Sequence, residues 1–198
     1  HDDRRIAIRI IINVMDFNLA MKYTKTIGLA AMEGRGFSNP VDLALSNDNR
    51  IYVVSRTNPA QTYGIRIGIC DFNENYYGDF GSYGSGDGQF VWPTALAFDN
   101  NDCLYLADEY NNRITIFDNS GHFMNNWGDF GSKDGQLDGP SGLVFDSYNN
   151  LYVADHRNNR IQKFDRDGRF LNTWGSGGFE EGKLDLPWGL SIDSDNNI

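Results

Sequence analysis

The 198-residue sequence is poor in cysteine, proline and histidine, with two, five and three of each, and it lacks any long apolar run. Two cysteines, Cys70 and Cys103, make no disulfide framework. A membrane-spanning helix needs about 18 consecutive apolar residues. The best candidate, Ile6 to Val14, is far shorter and contains Arg9 and Asn13. Asp16 follows it without a small-residue cleavage pattern, so no signal peptide is visible and the compartment stays open. Positive charge is also scarce. The net charge is −10, residues 40–198 carry 11 basic against 23 acidic side chains, and no Lys/Arg cluster occurs. Such a field repels phosphate backbones and anionic lipid, so nucleic acid is not an expected partner. Apolar content is adequate: 40% hydrophobic and 14% aromatic residues suffice for a packed core.

What the chain does have is a repeat. Pro93, Pro140 and Pro187 stand 47 residues apart, and residues 93–139 match 140–186 without a gap at 23 positions of 47. A third copy starts at Pro40, with extra residues between Ser55 and Arg66, and a fourth at Pro187. Each unit reads as four short strands separated by Asp/Asn/Gly turn clusters such as Asp99-Asn-Asn-Asp and Asp165-Arg-Asp-Gly. The runs Leu104-Tyr-Leu-Ala and Leu151-Tyr-Val-Ala are apolar on both alternating faces, so both faces of each sheet are expected to be covered. Four strands every 40–50 residues, packed on both faces, predict an all-β fold, a β-propeller of four-stranded blades. By this register residues 22–198 are a partial propeller of about four blades, the last truncated at Ile198. Residues 1–21 fit the repeat poorly: they read either as an odd first blade or as a segment ahead of a start at Met21.

At Pro-x-Gly-Leu-x-Phe-Asp (140–146), Leu-Tyr-Val-Ala-Asp (151–155) and Asn-Asn-Arg-Ile-Gln-Lys-Phe (158–164) the chain resembles the NHL-repeat family. The resemblance implies a propeller that has six blades when complete. It also implies two classes of function. One is a scaffold that binds a protein, peptide or small ligand. The other is a lyase or hydrolase similar to the peptidyl-hydroxyglycine amidating lyase or streptogramin lyase. Fold does not choose between them.

Candidate sites divide by whether they repeat. Asp108 and Asp155, with Asn111-Asn112-Arg113 and Asn158-Asn159-Arg160, recur in register and read as turn braces. Trp127 and Trp174 align and read as blade-to-blade packing. Non-repeating side chains are better ligand candidates. Arg56, Tyr63, Trp92, Tyr110, His156, Arg157 and Trp188 all fall on loops that join second to third strands or one blade to the next. Antiparallel strands put those loops on one rim, so these seven are the expected binding residues.

No metal centre is expected. The resemblance to the amidating lyase puts a zinc-binding His directly after the blade-opening Pro, and those positions here are Val41, Thr94, Ser141 and Trp188. His1, His122 and His156 are too scattered to converge on zinc. Asp193-Ser-Asp195-Asn-Asn197 has the alternating oxygens of a calcium loop but lacks the following Gly and the distal Glu, so it reads as a hairpin turn. No cofactor is expected.

Overall fold

The computed structural model describes residues 25–28, 35–57 and 62–198. Segment 1–21 and the middle of the Arg56–Tyr63 insertion lie outside the described residues. Strands β1 (Pro40–Leu45), β2 (Ile51–Ser55), β3 (Arg66–Cys70) and β4 (Tyr76–Phe80) form one antiparallel sheet in chain order. Two short strands, β5 (Ser82–Tyr83) and β6 (Gln89–Phe90), pair in parallel within the crossing to the next sheet. That sheet comprises β7 (Pro93–Phe98), β8 (Leu104–Asp108), β9 (Arg113–Phe117) and β10 (Phe123–Trp127). A third holds β11 (Pro140–Phe145), β12 (Leu151–Asp155), β13 (Arg160–Phe164) and β14 (Phe170–Trp174). The only helical turns among the described residues are 3₁₀ pieces at Thr62–Gly64 and His156–Asn158. The fold is an all-β propeller.

Burial follows the apolar pattern. Every residue of β2, β8 and β12 is buried, because each of these strands has neighbours on both edges and both faces. Tyr52, Val54 and Ile67 of the first blade pack against Phe90, Leu96, Leu106 and Phe117 of the second. Tyr105, Ala107 and Ile114 then pack against Leu143, Val153 and Phe164 of the third. Trp127 joins this layer as expected, 4.7 Å from the Phe164 ring. Trp174 differs: it stacks on Tyr152 of its own blade at 5.7 Å and is half-exposed.

Innermost strands β1, β7 and β11 lie side by side and belong to different sheets, so no ladder joins them. Side chains bridge the gap instead. Asp42 Oδ2 accepts the Leu96 N–H at 2.7 Å, and the Thr94 hydroxyl donates to the Pro140 carbonyl at 3.0 Å. The Ser141 hydroxyl donates to the Trp188 carbonyl at 3.0 Å. A Cβ on Gly142 would stand 2.5 Å from that carbonyl oxygen, so the close approach requires glycine. The segment after Pro187 therefore runs against β11 as a next innermost strand would, although no paired strand occurs in 187–198.

The rim of β1–β2-type hairpins is a second set of bridges. Asp102, Asn149 and Asn196 occupy the left-handed region at φ 62°, 66° and 64°. Their side-chain oxygens accept N–H groups of Asn47, Asn100 and Ser147 in the preceding repeat, at 2.8–2.9 Å. Tyr52 and Tyr105 add hydroxyl bonds to the carbonyls of Asn119 and Arg166 one blade on. These bonds tie the hairpin rim of each blade to the next.

Candidate functional site: an arc across the loop rim

On the opposite rim the repeated side chains are braces. Asp155 accepts the Asp138 N–H at 2.7 Å, Arg160 Nε at 2.7 Å, Asn158 Nδ2 at 2.9 Å and Gln162 Nε2 at 3.0 Å. Arg160 sends its remaining N–H groups to the carbonyls of Ser132, Lys133 and Gln136. Asp108 likewise accepts Val91 and Trp92 N–H groups and Asn111 Nδ2. In the first blade Ser55 stands in for the Asp, and its hydroxyl accepts the Ser38 N–H at 3.3 Å. A buried carboxylate holding several donors is a fixed structural unit.

Non-repeating residues behave differently. Arg56, Glu109 and His156 hold the same position, directly after β2, β8 and β12. Each backbone N–H bonds the carbonyl of the residue that precedes an innermost strand: Asn39, Trp92 and Gly139, at 3.0–3.3 Å. Their side chains reach toward the following blade. The Arg56 guanidinium lies 4.4 Å from the Trp92 ring centroid. Glu109 takes the Arg157 guanidinium, which also approaches Asp138 at 3.4 Å. His156 meets the Trp188 ring edge-on at 4.9 Å, with Nδ1 3.2 Å from the Pro187 carbonyl. Five of the seven expected residues thus join one arc that crosses four consecutive repeats. Tyr63 and Tyr110 stand on the same rim, 65% and 67% exposed, and the structure gives neither a side-chain partner on the arc.

Two residues were missed by the sequence reading. Glu109 completes the arc by anchoring Arg157, and its signal was that Arg and His fill its equivalent positions. Asp42 lies on innermost β1 where the other repeats carry Ala95 and Gly142. Burial raises its pKa above the ordinary carboxylate value, against the lowering effect of the Leu96 N–H. It is the ionisable side chain of that strand position.

Among the described residues no group of three His, Cys, Asp or Glu side chains is placed to hold a metal ion. In the Asp193 loop, Oδ1 accepts the Asp195 and Asn197 N–H groups at 2.9 and 2.8 Å, and Oδ2 accepts Asn197 Nδ2. Asp146 and Asp71 are engaged in the same way, so this is the common turn of the repeat. Cys70 and Cys103 are free thiols, and burial pushes Cys70 up to about 11. No helix among the described residues is long and apolar enough to cross a membrane.

Comparison with known proteins agrees with this architecture. The NHL repeat family model matches residues 137–164. No curated protein sequence matches the chain. Among solved structures, a catalytically inactive virginiamycin B lyase from Staphylococcus aureus, crystallised with quinupristin, superposes with a TM-score of 0.57 at 13% identity. It covers 80% of this chain and 47% of that one. A streptogramin B lyase gives a TM-score of 0.57 at 16% identity, over 81% and 47%. A structure of a nidogen–laminin complex gives 0.56 at 20% identity, over 79% and 53%. The chain spans about half the length of these structures, and the likeness is one of fold. The protein is a β-propeller in which residues 137–164 match the NHL repeat model.

Proposed function

We propose that the protein is a binding scaffold that presents its loop rim to a protein, peptide or small ligand. The observation that carries this reading is the arc, where side chains that break the repeat meet across four successive repeats. Repeated braces hold it from below, so the arc is displayed on a preorganised base. Exposed Tyr and Trp with Arg are the residue types that anchor interfaces. One similar structure is that of a complex with a protein partner, which fits this reading. The test is to select peptides from a random library on the immobilised protein and to map them with two variant sets. Tyr63→Ala, Tyr110→Ala and Arg157→Ala should each weaken binding, by about 30-fold for a true anchor at roughly 2 kcal/mol. Asn101→Ala and Arg166→Ala on the hairpin rim should not. Loss only from the second set would end the proposal.

A second reading, a lyase, is favoured by Asp42. An ionisable, half-buried side chain on an innermost strand, in place of Ala and Gly, is the kind of group an active site needs. Two of the similar structures are lyases. Chromatographic conversion of quinupristin by the protein, abolished in Asp42→Asn, would support it. An unchanged chromatogram with the wild type would dismiss that substrate.

A further inference from the structure

We propose that the partner is cationic: a Lys/Arg-rich segment of another protein, received by carboxylates and aromatic rings on the crossings between blades. This deepens the scaffold reading and rests on it. The crossings run from β4 to β7 and from β10 to β11 on the loop rim. In register they carry Tyr83 and Phe130, 42% and 68% exposed, and Asp87 and Asp134, both exposed. Asp129 adjoins Phe130 and is exposed as well. Among the described residues no ring contact or side-chain hydrogen bond occupies Tyr83 or Phe130, and no cation meets Asp87 or Asp129. Asp134 has only a distant approach to Arg160, at 3.9 Å.

The hairpin rim is also acidic, but its turn-closing carboxylates are engaged, whereas Asp167 has only a distant approach to Arg166, at 3.9 Å, and Asp195 meets no cation among the described residues. Asp118 accepts the Ser120 and His122 N–H groups, and Asp165 accepts those of Asp167 and Arg169. On the loop rim the cations of the arc are already matched, Arg56 by Trp92 and Arg157 by Glu109 and Asp138. What remains unsatisfied is carboxylate beside aromatic face, together with the exposed ammonium of Lys133 on the second crossing. The pair of carboxylate and ring suits an ammonium or guanidinium group, which gains from the ring quadrupole and from the opposite charge. Repetition at a fixed interval suits a segment with several such groups, bound at more than one crossing.

The experiment uses the purified protein and three labelled peptides of equal length: one of Lys and Arg, one of Glu, one of Ser and Gly. The basic peptide should bind, more weakly as salt rises. Tyr83→Ser with Phe130→Ser, and separately Asp87→Asn with Asp129→Asn, should each weaken it about 10-fold. The charge-matched hairpin-rim pair Asp167→Asn with Asp195→Asn, and Tyr148→Ser, should stay within about twofold. All of these side chains are exposed, so folding is preserved and a thermal melt checks it. Equal loss from both charge pairs would mean diffuse attraction to an acidic protein and would overturn the proposal, as would an inert aromatic pair. Preference for the acidic or neutral peptide, lost in Tyr63→Ala or Tyr110→Ala, would overturn the cationic partner and leave the loop rim as the binding face. Loss confined to the hairpin-rim variants would overturn both.

Discussion

At the scale of single residues, substitutions inside the repeat separate brace from site. Gln162 is fully buried, donating to Asp155 and to the Gln136 carbonyl and accepting the Gly135 N–H. Thr115 holds the same place in the second blade, and there both its hydroxyl and Arg113 Nε lack partners. Gln162→Thr should therefore cost about 2 kcal/mol, since it strands buried donors and acceptors. Chemical denaturation measures this, and a loss under about 0.5 kcal/mol would show that water replaces the amide. Asp42 tests the opposite sign. Its folded pKa is raised above the unfolded value, so ionisation favours the unfolded chain once pH climbs past the ordinary carboxylate value. Asp42→Asn should melt above the wild type at pH 7, and the two should converge near pH 3. A wild type that melts higher at pH 7 would show that the bond to Leu96 outweighs burial.

Elements show how far the sequence reaches. Strand positions, the all-β class and the shared rim were legible because periodicity two, turn residues and the 47-residue interval agree. Bridges between repeats were not, because an Asn in a turn looks the same whether its side chain serves its own loop or the next blade. Asn149 does the second, accepting the Asn100 N–H at 2.8 Å while its backbone sits at φ 66°. Two variants separate those roles. Asn149→Gly keeps the left-handed backbone and loses the bond, which should cost about 1 kcal/mol. Asn149→Ala loses both and should cost about 2 kcal/mol. Equal costs would mean the left-handed backbone adds no strain, and a cost near zero for Asn149→Gly would mean the inter-blade bond contributes nothing. The candidate site was half legible for a related reason. Breaking the repeat singled out Arg56, Trp92, His156, Arg157 and Trp188, whereas Glu109 and Asp42 broke it too and were overlooked. Which side chains meet depends on the rotation from blade to blade, which no local pattern encodes.

For the whole molecule, the decisive quantity is the net charge of −10. Self-repulsion of that size destabilises a compact state, and any cation relieves it by screening. A rise in stability on adding calcium would therefore be ambiguous unless magnitudes are compared. A specific site filled at 100 times its Kd adds about 2.7 kcal/mol, which at 2–4 °C per kcal/mol for a domain of this size lifts Tm by roughly 5–10 °C. The Asp193 loop gives no reason to expect that. Its carboxylate is held by Asn197 and by two backbone N–H groups, and the Asn197 bond draws its pKa down, which is how an occupied anion behaves. Screening, by contrast, depends on ionic strength and not on ion identity, with a Debye length of about 10 Å at 0.1 M and 3 Å at 1 M. Tm should accordingly rise by a few degrees between 0.05 and 0.5 M NaCl. At a fixed 0.2 M NaCl, 1 mM calcium, magnesium or a chelator should each move it by less than about 1 °C. A chelator-sensitive shift of 5 °C with calcium alone would place a cation site in this propeller that its turn geometry does not reveal.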